Sequence, residues 1–151
     1  MYNPPTFLTV ALLADVVGEF EWPAPYVLED DLPDGIAVVF PRCTLYFSEG
    51  FESHMTLKFL SEDTGLDRSV TLTEVLVALR SFEELPDVEL IRDPTPHATL
   101  DKVRNGIRDL CTLVLTHLRP TLLGDFSWVD IYRRYVAGTQ ADPSSGLPAL
   151  P

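Results

Sequence analysis

Positive charge is scarce in this chain. Of its 151 residues, 11 are Lys or Arg and 23 are Asp or Glu, a formal net charge of −12 at pH 7. Nucleic-acid binding needs clustered cations that displace the counterions of phosphate, and an anionic membrane surface asks for the same, so neither is an expected partner. Cysteine is limited to Cys43 and Cys111, too few for a disulfide framework. Both fall on apolar faces, which predicts two buried free thiols in a reducing compartment, the alternatives being a disulfide or a reactive thiol. No uncharged apolar run approaches the ~18 residues of a membrane span. The start, Met1-Tyr2-Asn3-Pro4-Pro5, has no basic segment, and Asp15 interrupts the apolar run Phe7–Val17. A secretory signal reads differently, so the expected compartment is cytoplasmic. The glycines are isolated, without the spacing of a phosphate cradle, and no G-x-S-x-G elbow is present.

Apolar residues are plentiful. At 46% hydrophobic and 10% aromatic, the chain can bury a core of its own. Phe7–Val17 predicts a helix after Pro4-Pro5, with Thr6 as its cap, Gly18 as its stop and so many apolar sides that other elements should cover it. Three short strands and a fourth then follow. Tyr26–Leu28 leads into the acidic turn Glu29–Gly35, whose Pro-Asp-Gly suits a tight reversal. Ile36–Phe40 comes next, then Cys43, Leu45 and Phe47 alternate with Thr44, Tyr46 and Ser48, and Met55, Leu57 and Phe59 alternate with His54, Thr56 and Lys58. Such alternation predicts antiparallel strands with one buried and one polar face.

Thr71-Leu72-Thr73-Glu74 has the form of a capping box, with Val70 and Val75 placed as its hydrophobic staple. Val88–Ile91 could add a short edge strand. Thr95-Pro96 opens a long amphipathic helix through Leu100, Val103, Ile107, Leu110, Val114 and Leu118, ending near Arg119, with Gly106 marking close packing on the sheet. A final short helix starts at Ser127, carries Trp128, Ile131, Tyr132 and Tyr135, pairs Asp130 with Arg134, and closes at Gly138. The expected fold is α+β: a single antiparallel β-meander sheet of about four strands, packed on one face by the N-terminal helix and the long C-terminal helix. Residues 1–138 form the domain and 139–151 a disordered tail.

Reactive constellations are missing from this pattern. His54, His97 and His117 are scattered, and neither they nor the cysteines stand at metal-ligand spacing. Asp30, Asp31 and Asp34 crowd one loop without the spacing or the downstream Glu of a calcium loop. No catalytic residue, metal or cofactor is therefore assigned. What does stand out is the placement of charge. Residues 1–98 hold 5 basic and 18 acidic side chains, whereas residues 99–137 hold 6 and 4. The acids cluster in turns: Glu29, Asp30, Asp31 and Asp34; Glu49 and Glu52; Glu62, Asp63 and Asp67; and Glu83, Glu84, Asp87 and Glu89.

Excess acid keeps a small protein soluble, and it can also steer a basic protein onto a matching surface. The second property predicts a non-catalytic module that binds a basic protein partner, a toxin or effector, through Glu29, Asp30, Asp31, Asp34, Glu49 and Glu52. Tyr46 and Trp128 would serve as aromatic anchors, although an aromatic stripe of Phe126, Trp128, Tyr132 and Tyr135 also suits a core. In size, charge and helix–meander–helix order, the chain is loosely similar to immunity proteins against basic nuclease-type toxins and to acidic chaperones of secreted effectors, with no shared motif. A small enzyme or ligand-binding domain, with His54, Tyr46 and His97 around a pocket between sheet and helices, is the alternative. The expected assembly is a monomer, or a homodimer packed through the first helix.

Overall fold

The computed structural model describes residues 7–30, 35–50, 54–81 and 99–141, the side chains of 139–141 excepted. The elements run α1 (Val10–Val17), β1 (Val27–Glu29), β2 (Ile36–Phe40), β3 (Cys43–Glu49), β4 (Met55–Phe59), α2 (Ser61–Thr64), β5 (Val70–Thr71), α3 (Leu72–Ser81) and α4 (Leu100–His117). A 3-10 helix at Arg119–Leu123 and α5 (Trp128–Ala141) complete the order. The five strands form one antiparallel sheet in sequence order, β1-β2-β3-β4-β5. The fold is thus α+β, a meander with helices on one face.

Period-two patterning decides which face is which. Cys43, Leu45 and Phe47 on β3 and Met55, Leu57 and Phe59 on β4 are buried, while the residues between them are half-buried. The registers Phe47↔Leu57 and Leu45↔Phe59 bring these apolar rows together. α4 lies across β4 and beside α1, and α3 lies on β4 and beside α5. The helices close the core over Phe47, Phe59, Leu13, Leu76 and Ile107. Burying a side chain of this size contributes roughly 1.5–3 kcal/mol. At Gly106, an added Cβ would stand 3.0 Å from both Cβ and Cγ of Met55, so the missing side chain is what lets α4 approach the sheet. Cys43 and Cys111 are free and buried.

Several local expectations are corrected. α1 starts three residues later than the cap at Thr6 implies, with Thr9 accepting from the Leu12 N–H. Thr9 has extended backbone (φ −133°, ψ 161°), which leaves Phe7 and Leu8 outside the helix, and both of their N–H groups donate to Glu49 Oε1, at 2.7 and 2.8 Å. α1 is also not covered on all sides. Leu12, Leu13, Val16 and Val17 are buried, whereas Val10, Ala11, Ala14 and Asp15 are exposed, since small Ala side chains leave little apolar area to hide.

The long helix begins at Leu100 with Thr99 as its cap; Thr95-Pro96 and Val88–Ile91 lie outside the described residues. α5 continues past Gly138 to Ala141, because one helical glycine costs only about 1 kcal/mol and no proline intervenes. Three residues assigned to the tail therefore have helical backbone, and residues 142–151 lie outside the described residues. Asp130 pairs with Arg133, one turn away, at 3.6 Å.

Candidate functional site

The meander topology decides where the acidic turns go. β1–β2 and β3–β4 are both antiparallel neighbours joined by consecutive connections. Both connections therefore leave the sheet at the same end, while the β2–β3 turn at Pro41-Arg42 leaves at the other. Glu29 and Asp30 stand exposed at the shared end. Asp31, Asp34 and Glu52 belong to the same two connections and lie outside the described residues. Between Leu28 and Pro41, and between Glu49 and Leu57, the sequence has no Lys or Arg.

The other carboxylate at this end has a different task. Glu49 is half-buried and holds the Phe7 and Leu8 N–H groups, which occupies its Oε1 with the N-terminal segment instead of presenting it to a partner. Three carboxylates elsewhere are tied down in similar ways. Arg104 reaches Asp15 at 3.1 Å, and Arg108 grips both oxygens of Glu19 at 2.9 Å, pairs that join α1 to α4. Asp63 accepts from the Thr44 N–H at 2.8 Å and so pins α2 to β3. Burial pushes the Asp63 carboxyl above its ordinary value, against the opposing pull of the Thr44 hydrogen bonds. Among the described residues, neither Glu29 nor Asp30 has a hydrogen-bond or ion-pair partner of this kind.

The two aromatic candidates part company. Tyr46 is half-buried on the sheet face opposite Leu45 and Phe47, in the row Glu29–Ala37–Tyr46–Lys58–Thr71 that crosses all five strands. Its ring lies against Gly35: a Cβ there would stand 2.9 Å from Tyr46 Cζ and would overlap the Phe47 carbonyl oxygen. Trp128 is only 4% exposed. Its ring tilts against Phe59 at 5.4 Å, and its indole N–H donates to Thr121 Oγ1 at 3.1 Å. It is a core residue and offers no surface to a partner, because the period of α5 turns it toward the sheet.

Of the residues expected around a pocket, Tyr46 and His54 do not come together. The register sets Tyr46 opposite Lys58, and Gly50 donates its N–H to the His54 carbonyl at 2.8 Å. The two side chains are thus four positions apart along the strands, about 13 Å at the usual rise. His97 lies outside the described residues.

Two open grooves border α5. One, of about 400 Å³, is lined by Gly65, Arg68, Tyr132 and Arg133 among others; the other, of about 210 Å³, by His117, Asp125, Ser127 and Trp128 among others. The first exposes a network that sequence reasoning found only in part. Glu74 completes its capping box through the Thr71 N–H at 3.1 Å, and the Thr71 hydroxyl accepts the Glu74 N–H at 3.1 Å. The same carboxylate also accepts from Arg68 at 2.7 Å and from the Tyr132 hydroxyl at 3.1 Å. Burial pushes Glu74 upward, but the hydrogen bonds from Arg68, Thr71 and Tyr132 outweigh it and hold the carboxyl below its ordinary value. This arrangement ties α3 to α5.

Burial pushes both thiols up to about 12, which leaves them protonated and poorly nucleophilic. Among the described residues, no cluster of three His, Cys, Asp or Glu side chains could hold a metal ion, and no helix is long and apolar enough to cross a membrane. Comparison with known proteins finds no match: no family model, no curated protein and no solved structure is similar to this chain.

Proposed function

We propose that this chain is a non-catalytic acidic module that binds and sequesters a basic protein, in the manner of an immunity protein or an effector chaperone. One observation carries the proposal: the two acidic connections of the meander, neither of which contains a Lys or Arg, leave one end of the sheet, where Glu29 and Asp30 are exposed. Like charges held together repel one another, so an unpaired acidic surface is costly unless a cationic partner completes it.

The test is affinity capture from the source cell at about 50 and about 500 mM NaCl, conditions chosen to bracket charge screening. A variant carrying Glu29→Gln, Asp30→Asn, Asp31→Asn and Asp34→Asn runs beside the parent. A basic protein held at low salt, weakened at high salt and lost from the variant is the expected result. Retention of only neutral or acidic proteins, or equal capture by the variant, refutes the proposal.

A further inference from the structure

We infer that the outer edge of β1 takes a cationic, extended segment of the bound protein as a sixth strand; this rests on the acidic-module function proposed above. β1 is one terminus of the strand order, paired only with β2 through Val27↔Val39, Leu28↔Val38 and Glu29↔Ala37. Along such an edge strand, alternate residues turn their N–H and C=O groups away from the sheet. Among the described residues, nothing besides β2 hydrogen-bonds to β1. The edge is also open at the level of side chains: Val27 is 60% exposed, and Glu29 and Asp30 are exposed. The opposite edge differs. β5 has two residues and runs directly into α3, with Thr71 already bonded to Glu74.

Charge decides which strand can dock. A second copy of this chain would bring the same Glu29-Asp30 pair to the seam, and like charges disfavour pairing. An extended segment rich in Lys and Arg meets the opposite sign. The acids that guard this edge against self-association therefore select a cationic occupant. Strand addition would supply main-chain hydrogen bonds for affinity and alternate side-chain contacts for specificity, which charge alone does not give. The proline pair Pro23 and Pro25 precedes the strand and removes no N–H from it.

The test uses a labelled peptide of about six residues, the length of a common strand and enough to span the three residues of β1 with flanks, alternating Lys or Arg with Val. The same peptide N-methylated at alternate residues keeps its charge but loses the N–H groups of one edge. Binding is read by fluorescence anisotropy, and amide exchange is followed at Val27–Asp30. The expected result is binding of the parent peptide, slower exchange at those residues, and affinity about tenfold weaker or worse for the methylated peptide, the cost of one or two hydrogen bonds. Glu29→Lys with Asp30→Lys should abolish binding while the circular dichroism spectrum is kept. No binding of the parent, equal affinities for the two peptides, or unchanged exchange at Val27–Asp30 overturns strand addition. The function itself is judged separately, by whether salt-sensitive capture of a basic protein is lost on neutralising the turn.

Discussion

Glu74 is where a local sequence signal and a tertiary contact share one carboxylate, and its removal can be costed from the structure. Glu74→Ala deletes the capping-box acceptor for the Thr71 N–H, worth about 1 kcal/mol. It also removes the acceptor for the hydroxyl of buried Tyr132, again about 1 kcal/mol. The Arg68 pair is exposed on the Arg side and adds little, being screened by solvent. The expected loss is about 2–3 kcal/mol, or a Tm lowered by roughly 5–10 °C for a chain of this size. Glu74→Gln keeps an acceptor and should lose about half as much.

Urea denaturation followed by tryptophan fluorescence would measure both variants, and a double-mutant cycle with Tyr132→Phe should return a coupling of at least about 0.5 kcal/mol. The sign of the pH dependence is fixed as well. A folded carboxyl held below its ordinary value of 4.5 contributes fully above that value and loses its contribution as pH falls through the folded value. The gap between parent and Glu74→Gln should therefore narrow from about pH 6 to about pH 3. A loss under about 0.5 kcal/mol for Glu74→Ala, or a gap that widens in acid, would refute the account.

Gly106→Ala should destabilise by about 1 kcal/mol despite the better helix propensity of Ala, because the new methyl meets Met55 Cβ and Cγ at 3.0 Å; in urea titrations the loss should be smaller in a Met55→Ala background, which lacks the Cγ, than in the parent. Gly124 closes the 3-10 helix at φ +97°, with Arg42 Cδ 2.8 Å from where a Cβ would lie. Gly124→Ala should therefore cost about 1–2 kcal/mol by thermal melting. With both thiols pushed up to about 12, the folded protein should resist an aromatic disulfide reagent near pH 8, and both cysteines should react once guanidinium unfolds it; rapid labelling of folded protein would contradict their burial. Trp128→Ala should lower stability by about 3–5 kcal/mol by leaving Thr121 Oγ1 and the Phe59 ring without their partner, and a variant as stable as the parent would show that the indole is not core.

What could be read in the residues was whatever is local. The alternation of β3 and β4 identifies their buried faces because side chains two apart share a face whatever the rest of the chain does. The capping box at Thr71–Glu74 forms within one helical turn and is present as spaced. Longer-range geometry is not written that way. β5 has only two residues, too few for any period to show. Thr6 and Thr9 can both cap α1, and the chain between them is held by Glu49, more than forty residues away, a contact that no local spacing announces. Trp128 has the composition of either a core or an interface; only the packing of α5 against β4 and Thr121 decides for the core. Arg68 and Tyr132 meet Glu74 from the α2–β5 loop and from α5, a convergence with no sequence spacing to announce it.

Five carboxylates of this protein serve its stability, and the exposed pair at the sheet end differs from them in what it touches. Asp15 and Glu19 bind α1 to α4, Glu49 anchors the N-terminal segment, Asp63 fixes α2 to β3, and Glu74 joins α3 to α5. Each stabilises the fold through a partner that its removal would strand. Glu29 and Asp30 have no such partner among the described residues and add only repulsion to a chain of charge −12. Neutralising them should therefore leave unfolding free energy unchanged or raise it by a few tenths of a kcal/mol, as expected for relief of surface repulsion. If they serve recognition, the same change removes capture of the basic partner. A loss of stability on Glu29→Gln with Asp30→Asn would place these acids with the structural set and leave the sheet end without a binding role.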